Sequence, residues 1–135
     1  MKEFRRGDIV YVDLGHRVNS SVQAGIKMCL VLSNNRSNHY SKILSVCPMT
    51  SKLKDNPVHV KVKIGDVQGR FTKELECLAE QITTVDKRQV LSKMGKIKED
   101  ASVFKKINEA LCLQLGLNAD GRENKWEEEI FIMQI

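Results

Sequence analysis

One lysine, Lys27, stands where a polar, glycine-containing stretch, SVQAGIK (21–27), runs directly into five apolar residues, Met28 to Leu32. A lone cation at that junction has two uses. It can limit pairing along a strand edge, or it can stabilise negative charge on a bound phosphate. The other residue types that carry chemistry form no familiar constellation. Cys29, Cys47, Cys77 and Cys112 make no C-x-x-C pair, and three of them sit in apolar runs where a free thiol behaves as a small hydrophobe. His16, His39 and His59 are not spaced with cysteines or carboxylates as metal ligands usually are. Neither a metal site, a disulfide framework nor a cofactor is expected.

Charge points to the kind of partner. The net charge of +5 is uneven: residues 1–117 hold 20 Lys/Arg against 12 Asp/Glu, giving +8, and residues 118–135 hold 2 against 5, giving −3. A basic body suits a polyanion, most commonly nucleic acid; a solvated basic surface is the plain alternative. Arg5 and Arg6, at the entry to the first strand, suit phosphate positioning or simple solvation, and Asp8 reads as a turn cap.

The elements that must hold these residues are strands first and helices last. GDIVYVDL (7–14), MCLVLSN (28–34) and ILSVCPMT (43–50) read as strands, the second buried on both faces. Pro48 lacks an N–H, so the third should end or bulge there. VHVKVKI (58–64) alternates, with Val58, Val60, Val62 and Ile64 inward and His59, Lys61 and Lys63 outward; ECLAEQIT (76–83) adds a fifth strand. In VDKRQV, Asp86 and Gln89 make a capping box and Val85 can staple to Val90, which predicts a helix that Gly95 stops. A second helix over 101–117 puts Val103, Phe104, Ile107, Ala110, Leu111 and Leu115 on one face. Segments 15–26 and 65–74 are polar loops. The fold class is therefore mainly β, a strongly curved antiparallel sheet or barrel with a C-terminal helix.

The 135 residues suit one domain. No run reaches the roughly 18 apolar residues that read as a membrane span, and the N-terminus lacks the apolar stretch of a signal peptide, so a cytoplasmic location is expected. Residues 118–135 form a separate extension, acidic then apolar, from Trp126 through Glu127, Glu128 and Glu129 to Ile130, Phe131, Ile132 and Met133. Packing as an extra element, or covering the basic surface of its own molecule, are its two readings.

The ordered segments RRGDIVYVDL, QAGIKMCLVLSNN, SVCPMTS and CLAEQITTVDKRQV go further, because over residues 5–117 the chain resembles the MazF/PemK toxins. That resemblance implies an SH3-like barrel in residues 1–117, a homodimer, and metal-independent, sequence-selective cleavage of single-stranded RNA. It also implies a cognate antitoxin protein as partner. The family's Gly-x-Arg-Pro entry to the second strand matches Gly25, Ile26, Lys27 and Met28, so Lys27 takes the place of a catalytic arginine. A catalytic Thr or Ser at the end of the third strand matches Thr50, with Ser51 beside it. The acidic residue that often precedes the loop glutamine is Val22 here, ahead of Gln23.

On that reading Lys27 stabilises charge on phosphorus and Thr50 holds a phosphate oxygen. Arg6, His16, Arg17, Asn19, Ser20, Gln23, Ser51 and Gln81 would contact RNA or hold the loop that does. Tyr40 has two readings, a stacking surface or a partly buried strand-flank residue. The rival to an enzyme is a member of the same fold that has lost the arginine and the loop acid and binds RNA or a protein partner without cutting. A related toxin of this fold that binds gyrase marks a third possibility.

Overall fold

A computed structural model describes residues 3–54 and 56–118. The strands are β1 (Asp8–Asp13), β2 (Ile26–Val31), β3 (Ile43–Thr50), β4 (His59–Val62), β5 (Val67–Gly69), β6 (Leu75–Leu78), β7 (Thr83–Asp86) and β8 (Val90–Ile97). The helices are α1 (Asn35–Tyr40) and α2 (Val103–Gln114). The eight strands form one curved sheet in the order β4-β6-β3-β2-β1-β8-β5, with β7 pairing β3. All pairings are antiparallel. The fold is mainly β, a small SH3-like barrel with a C-terminal helix. The expected extension lies outside the described residues beyond position 118.

Period-two alternation splits the central strands between two cores. Ile9, Leu30, Leu32, Cys47 and Met49 face one, where they meet Val60, Val62 and Cys77 and are closed over by Val103, Ile107 and Ala110 of α2. Val10, Val12, Cys29, Val31, Leu44 and Val46 face the other, with Phe4, Leu14 and Val85. Burial on both faces is why β2 reads as a continuous apolar run. The α2 stripe recurs at i, i+4 and i+7 as expected, but Leu115 falls past the helix end and is exposed.

The structure corrects several local expectations. The capping box of Asp86 and Gln89 is present, yet it closes only one 3-10 turn, Lys87–Gln89, before the chain extends as β8. The reason is tertiary: β1 is buried and needs a ladder on both sides, and β8 supplies the second. Gly95 is thus not a helix stop. An added Cβ there would stand 2.8 Å from the Phe71 ring and closer still to the Gln68 carbonyl, because β5 crosses it.

β3 runs through Pro48 without ending. It changes partners on one side there, from β7 at Ile43–Val46 to β6 at Met49 and Thr50. The expected strand 76–83 is broken by a 3-10 turn, Ala79–Gln81, and the loop 65–74 contains β5. Ile64 is exposed and the His59 side chain is buried, against the alternation that turned them in and out.

α1 is an element that no apolar stripe announced. Polar bonds hold it: Asn34 caps the Ser37 N–H at 2.8 Å, and buried Asn38 donates to the Ser33 carbonyl at 2.7 Å.

Candidate functional site

The β1–β2 loop is closed at its base by two backbone bonds, Leu14 N–H to the Gly25 carbonyl (2.9 Å) and Gly25 N–H to the Gly15 carbonyl (2.8 Å). Gly15 and Gly25 have φ of +88° and +76°, and no atom lies within 4 Å of where a Cβ would stand. The left-handed backbone, not crowding, calls for glycine at both.

Gln81 reaches up from the turn after β6 and fixes this loop at two points. Its Oε1 accepts from Gln23 N–H at 3.1 Å and its Nε2 donates to the Ser21 carbonyl at 3.1 Å. A small cavity of about 80 Å³ lies beneath, lined by Leu14, Arg17, Gln23, Pro48, Gln81 and Val85 among others. His16, Arg17, Asn19 and Ser20 are exposed along the loop, and Asn19 takes the left-handed region at φ +53°.

Lys27, exposed, is the second residue of β2 and pairs with Val12 on one side. On the other side the β2–β3 ladder runs from Val31↔Val46 to Cys29↔Pro48. The same register prolonged by two residues faces Lys27 with Thr50, the last residue of β3. Thr50 Oγ1 accepts from Lys52 N–H at 3.1 Å, so its own proton remains for an incoming acceptor. Ser51, exposed, borders a hollow of about 260 Å³ with Tyr11, Met28, Arg70, Phe71 and Lys73.

Arg6 lies elsewhere and is engaged by the protein's own body. Its Nε donates to the Leu32 carbonyl at 3.1 Å, its Nη2 donates to Asn108, and its guanidinium lies 5.5 Å from the Phe104 ring centroid. It ties the end of β2 to α2. Asp8 caps the turn before β1, accepting from Arg5 N–H at 2.8 Å.

Sequence reasoning missed a buried cluster beside Thr50. Glu76 is paired directly with Thr50 across the β3–β6 ladder and is 1% exposed. Its carboxylate accepts from Lys54 N–H at 3.1 Å and meets His59 Nδ1, and His59 Nε2 meets Glu80 at 2.7 Å. Burial works against a charged imidazole, but the hydrogen bonds and charges of Glu80 and Glu76 outweigh it, and the His59 pKa is raised. The cluster pins the segment that follows Thr50. It opens on a groove of about 720 Å³ whose wall carries Lys54, Lys61, Lys63 and Lys106. A glutamate inside the apolar run LECLA was the available signal.

The site thus offers one exposed cation and one hydroxyl at the ends of two neighbouring strands, next to a polar loop that Gln81 holds. That combination can hold one phosphate and neutralise charge developing on it. Among the described residues no group of three or more His, Cys, Asp or Glu is arranged to hold a metal ion.

Residues 5–115 match the family described as the PemK-like, MazF-like toxin of type II toxin-antitoxin systems, a span covering most of the chain. The chain belongs to this toxin family. The toxin's fold is shared by solved structures along nearly their whole lengths. An endoribonuclease from a Mycobacterial species, solved with its cognate antitoxin, is 25% identical, with 87% of this chain and 98% of that one covered and a TM-score of 0.65. MazF from Deinococcus radiodurans is 21% identical, covering 87% and 100%, with a TM-score of 0.72. The Mycobacterium tuberculosis toxin MazF-mt6 is 14% identical, covering 82% and 98%, at 0.66. At the lower two identities the likeness is one of fold. No helix among the toxin's described residues is long and apolar enough to cross a membrane.

Proposed function

We propose that this toxin is an endoribonuclease that cuts single-stranded RNA, mRNA in the cell, at selected sequences without a metal ion. The observation that supports this reading is the β2–β3 register, which continued two residues past Cys29↔Pro48 would bring Lys27 opposite Thr50, on the strand that leaves the loop Gln81 holds. In the reaction the RNA 2′-hydroxyl gives its proton to solvent as its oxygen attacks the adjacent phosphorus, the bond to the 5′-oxygen breaks and that oxygen takes a proton from solvent, and a 2′,3′-cyclic phosphate and a 5′-hydroxyl result. Lys27 neutralises the added negative charge on the phosphorane, and the Thr50 hydroxyl donates a hydrogen bond to a non-bridging oxygen while keeping its proton. Exposed His16, Arg17, Asn19, Ser20 and Ser51 read or position the unpaired bases, while Gln81 and Gln23 shape the loop.

The toxin acts as a homodimer in the cytoplasm, and a cognate antitoxin neutralises it. Support for these partners comes from family membership and from the relative solved with its antitoxin.

Lys27 itself favours a second reading. Lysine is a flexible point charge where the family has a planar fork, so a member that binds RNA or a protein partner without cutting it is the rival. Incubating the purified toxin with a long unstructured RNA in EDTA separates the two. Discrete cuts ending in cyclic phosphate support the nuclease; RNA bound but intact supports the rival and overturns the nuclease.

A further inference from the structure

We propose that a cleft at the far end of β3, beside Tyr40, is a second single-strand subsite in which one base stacks on the Tyr40 ring and its flanking phosphates meet Lys42 and Lys87. The inference rests on the RNA reading and extends it to a surface away from Lys27.

Tyr40 ends α1 and is 78% exposed. The fold does not use its ring as core. Its ring lies edge-to-face with that of His39, centroids 4.6 Å apart at 88°, and a perpendicular neighbour covers at most one face. His39 is in turn held by Glu3 at 2.9 Å. The cleft measures about 650 Å³ and is lined by Phe4 and Val90 together with Tyr40, Lys42, Lys87 and Arg88.

Charge complementarity identifies the occupant. Among the described residues Asp86 is the only carboxylate on the lining, and Arg88 already binds it at 3.0 and 3.1 Å. Lys42 and Lys87 have no carboxylate within ion-pair distance among the described residues; Lys87 donates instead to the Asn38 carbonyl. An open aromatic face beside two cations that make no direct ion pair, though Asp86 lies within electrostatic reach of Lys42 and Glu3 of Lys87, matches one nucleotide, a π-face flanked by phosphates, and stacking of this kind tolerates any base.

Seven residue steps of β3 separate this end of the strand from Thr50, about 23 Å at the usual strand rise. Small β-barrels of the oligonucleotide-binding kind cover about 4–16 nucleotides, so a strand seated at Thr50 can be long enough to reach the cleft.

The test uses the full chain and a fluorescent 2′-O-methyl RNA of about 16 nucleotides, which binds but lacks the attacking hydroxyl. Expected results are about ten-fold weaker binding for Tyr40→Ala, affinity retained by Tyr40→Phe, and a salt slope shallower by about one for Lys42→Ala. Unchanged affinity of Tyr40→Ala overturns the subsite, as does equal weakening by Tyr40→Phe. A change in the mass of Tyr40→Ala by light scattering assigns the face to contact between copies and also overturns it. Because this probe cannot be cut, Tyr40-dependent binding stands even if the nuclease reading fails. Lys27-dependent cutting by a protein whose binding ignores Tyr40 would sink the subsite alone.

Discussion

The register that pairs Cys29 of β2 with Pro48 of β3 is the last rung of their ladder, and continued by two residues it would bring Lys27 opposite Thr50. Alternation along both strands turns the two side chains to one side of the sheet. The residues flanking them differ sharply in burial: Cys29 is fully enclosed, whereas Lys27 is exposed. The pair therefore sits where the barrel wall ends and solvent begins.

Replacing Lys27 by alanine should slow RNA cleavage by about 10²–10³-fold, the usual loss for one group aimed at developing charge. Lys27→Arg should match or exceed the parent, because a planar fork offers two parallel bonds to phosphate oxygens. Single-turnover cleavage of an RNA oligomer, alongside thermal melting to confirm folding, reads both. A folded Lys27→Ala protein that cuts at the parent rate removes Lys27 from the reaction.

Gln81→Ala deletes both side-chain bonds to the first loop. Each is worth about 0.5–1.5 kcal/mol, so the loop should open locally while the two cores persist. Amide hydrogen exchange at residues 21–25 should rise several-fold, with cleavage reduced. Exchange identical to the parent would mean that the loop holds itself.

Stability should depend on pH through His59. Its folded pKa is raised by Glu80 and Glu76 against the opposing effect of burial. The stabilisation is therefore fully present below the unfolded value of about 6.5 and is lost as pH rises through the folded value. Urea unfolding from mildly acidic to mildly alkaline pH should show that decline, and His59→Gln should flatten it. His59→Gln should also cost about 1.5–3 kcal/mol at the acidic end, since Glu76 keeps its burial and loses a charged partner. A parent profile as flat as the variant's would remove His59 from the linkage.

Gly95→Ala should destabilise by about 1–3 kcal/mol, because the new methyl meets Phe71 and the Gln68 backbone where β5 crosses β8. Denaturant midpoints measure this. A neutral result would show that β5 can lift from the sheet at no cost.

RNA affinity should fall about 10³-fold or more between about 50 and 200 mM salt if six or more phosphates are neutralised. Titration of the uncuttable RNA at several salt concentrations gives the slope, and a flat response would count against a phosphate-lined surface.

Local signals in the chain were enough for β1, β2 and α2. Continuous or helically spaced apolar residues such as Cys29–Val31 and Val103, Ile107 and Ala110 can be buried in only one way, and they are. The order of the four motifs also fixed the family. The capping box at Asp86 shows the limit of such signals: its bonds formed, but a one-turn bond set cannot outweigh the unpaired edge of a buried strand. His59 shows the same limit for charge. Alternation says which face of β4 a residue occupies, and only packing says whether that face meets water or two carboxylates. Lys27, Thr50 and Gln81 were each legible as residue types at suggestive places, 54 positions apart from first to last. What only the tertiary structure decided is the register of β2 on β3, which runs the strand ends that carry the first two side by side, and the grip of Gln81 on the loop that leads into β2, because long-range pairing, unlike propensity, is a property of the closed sheet.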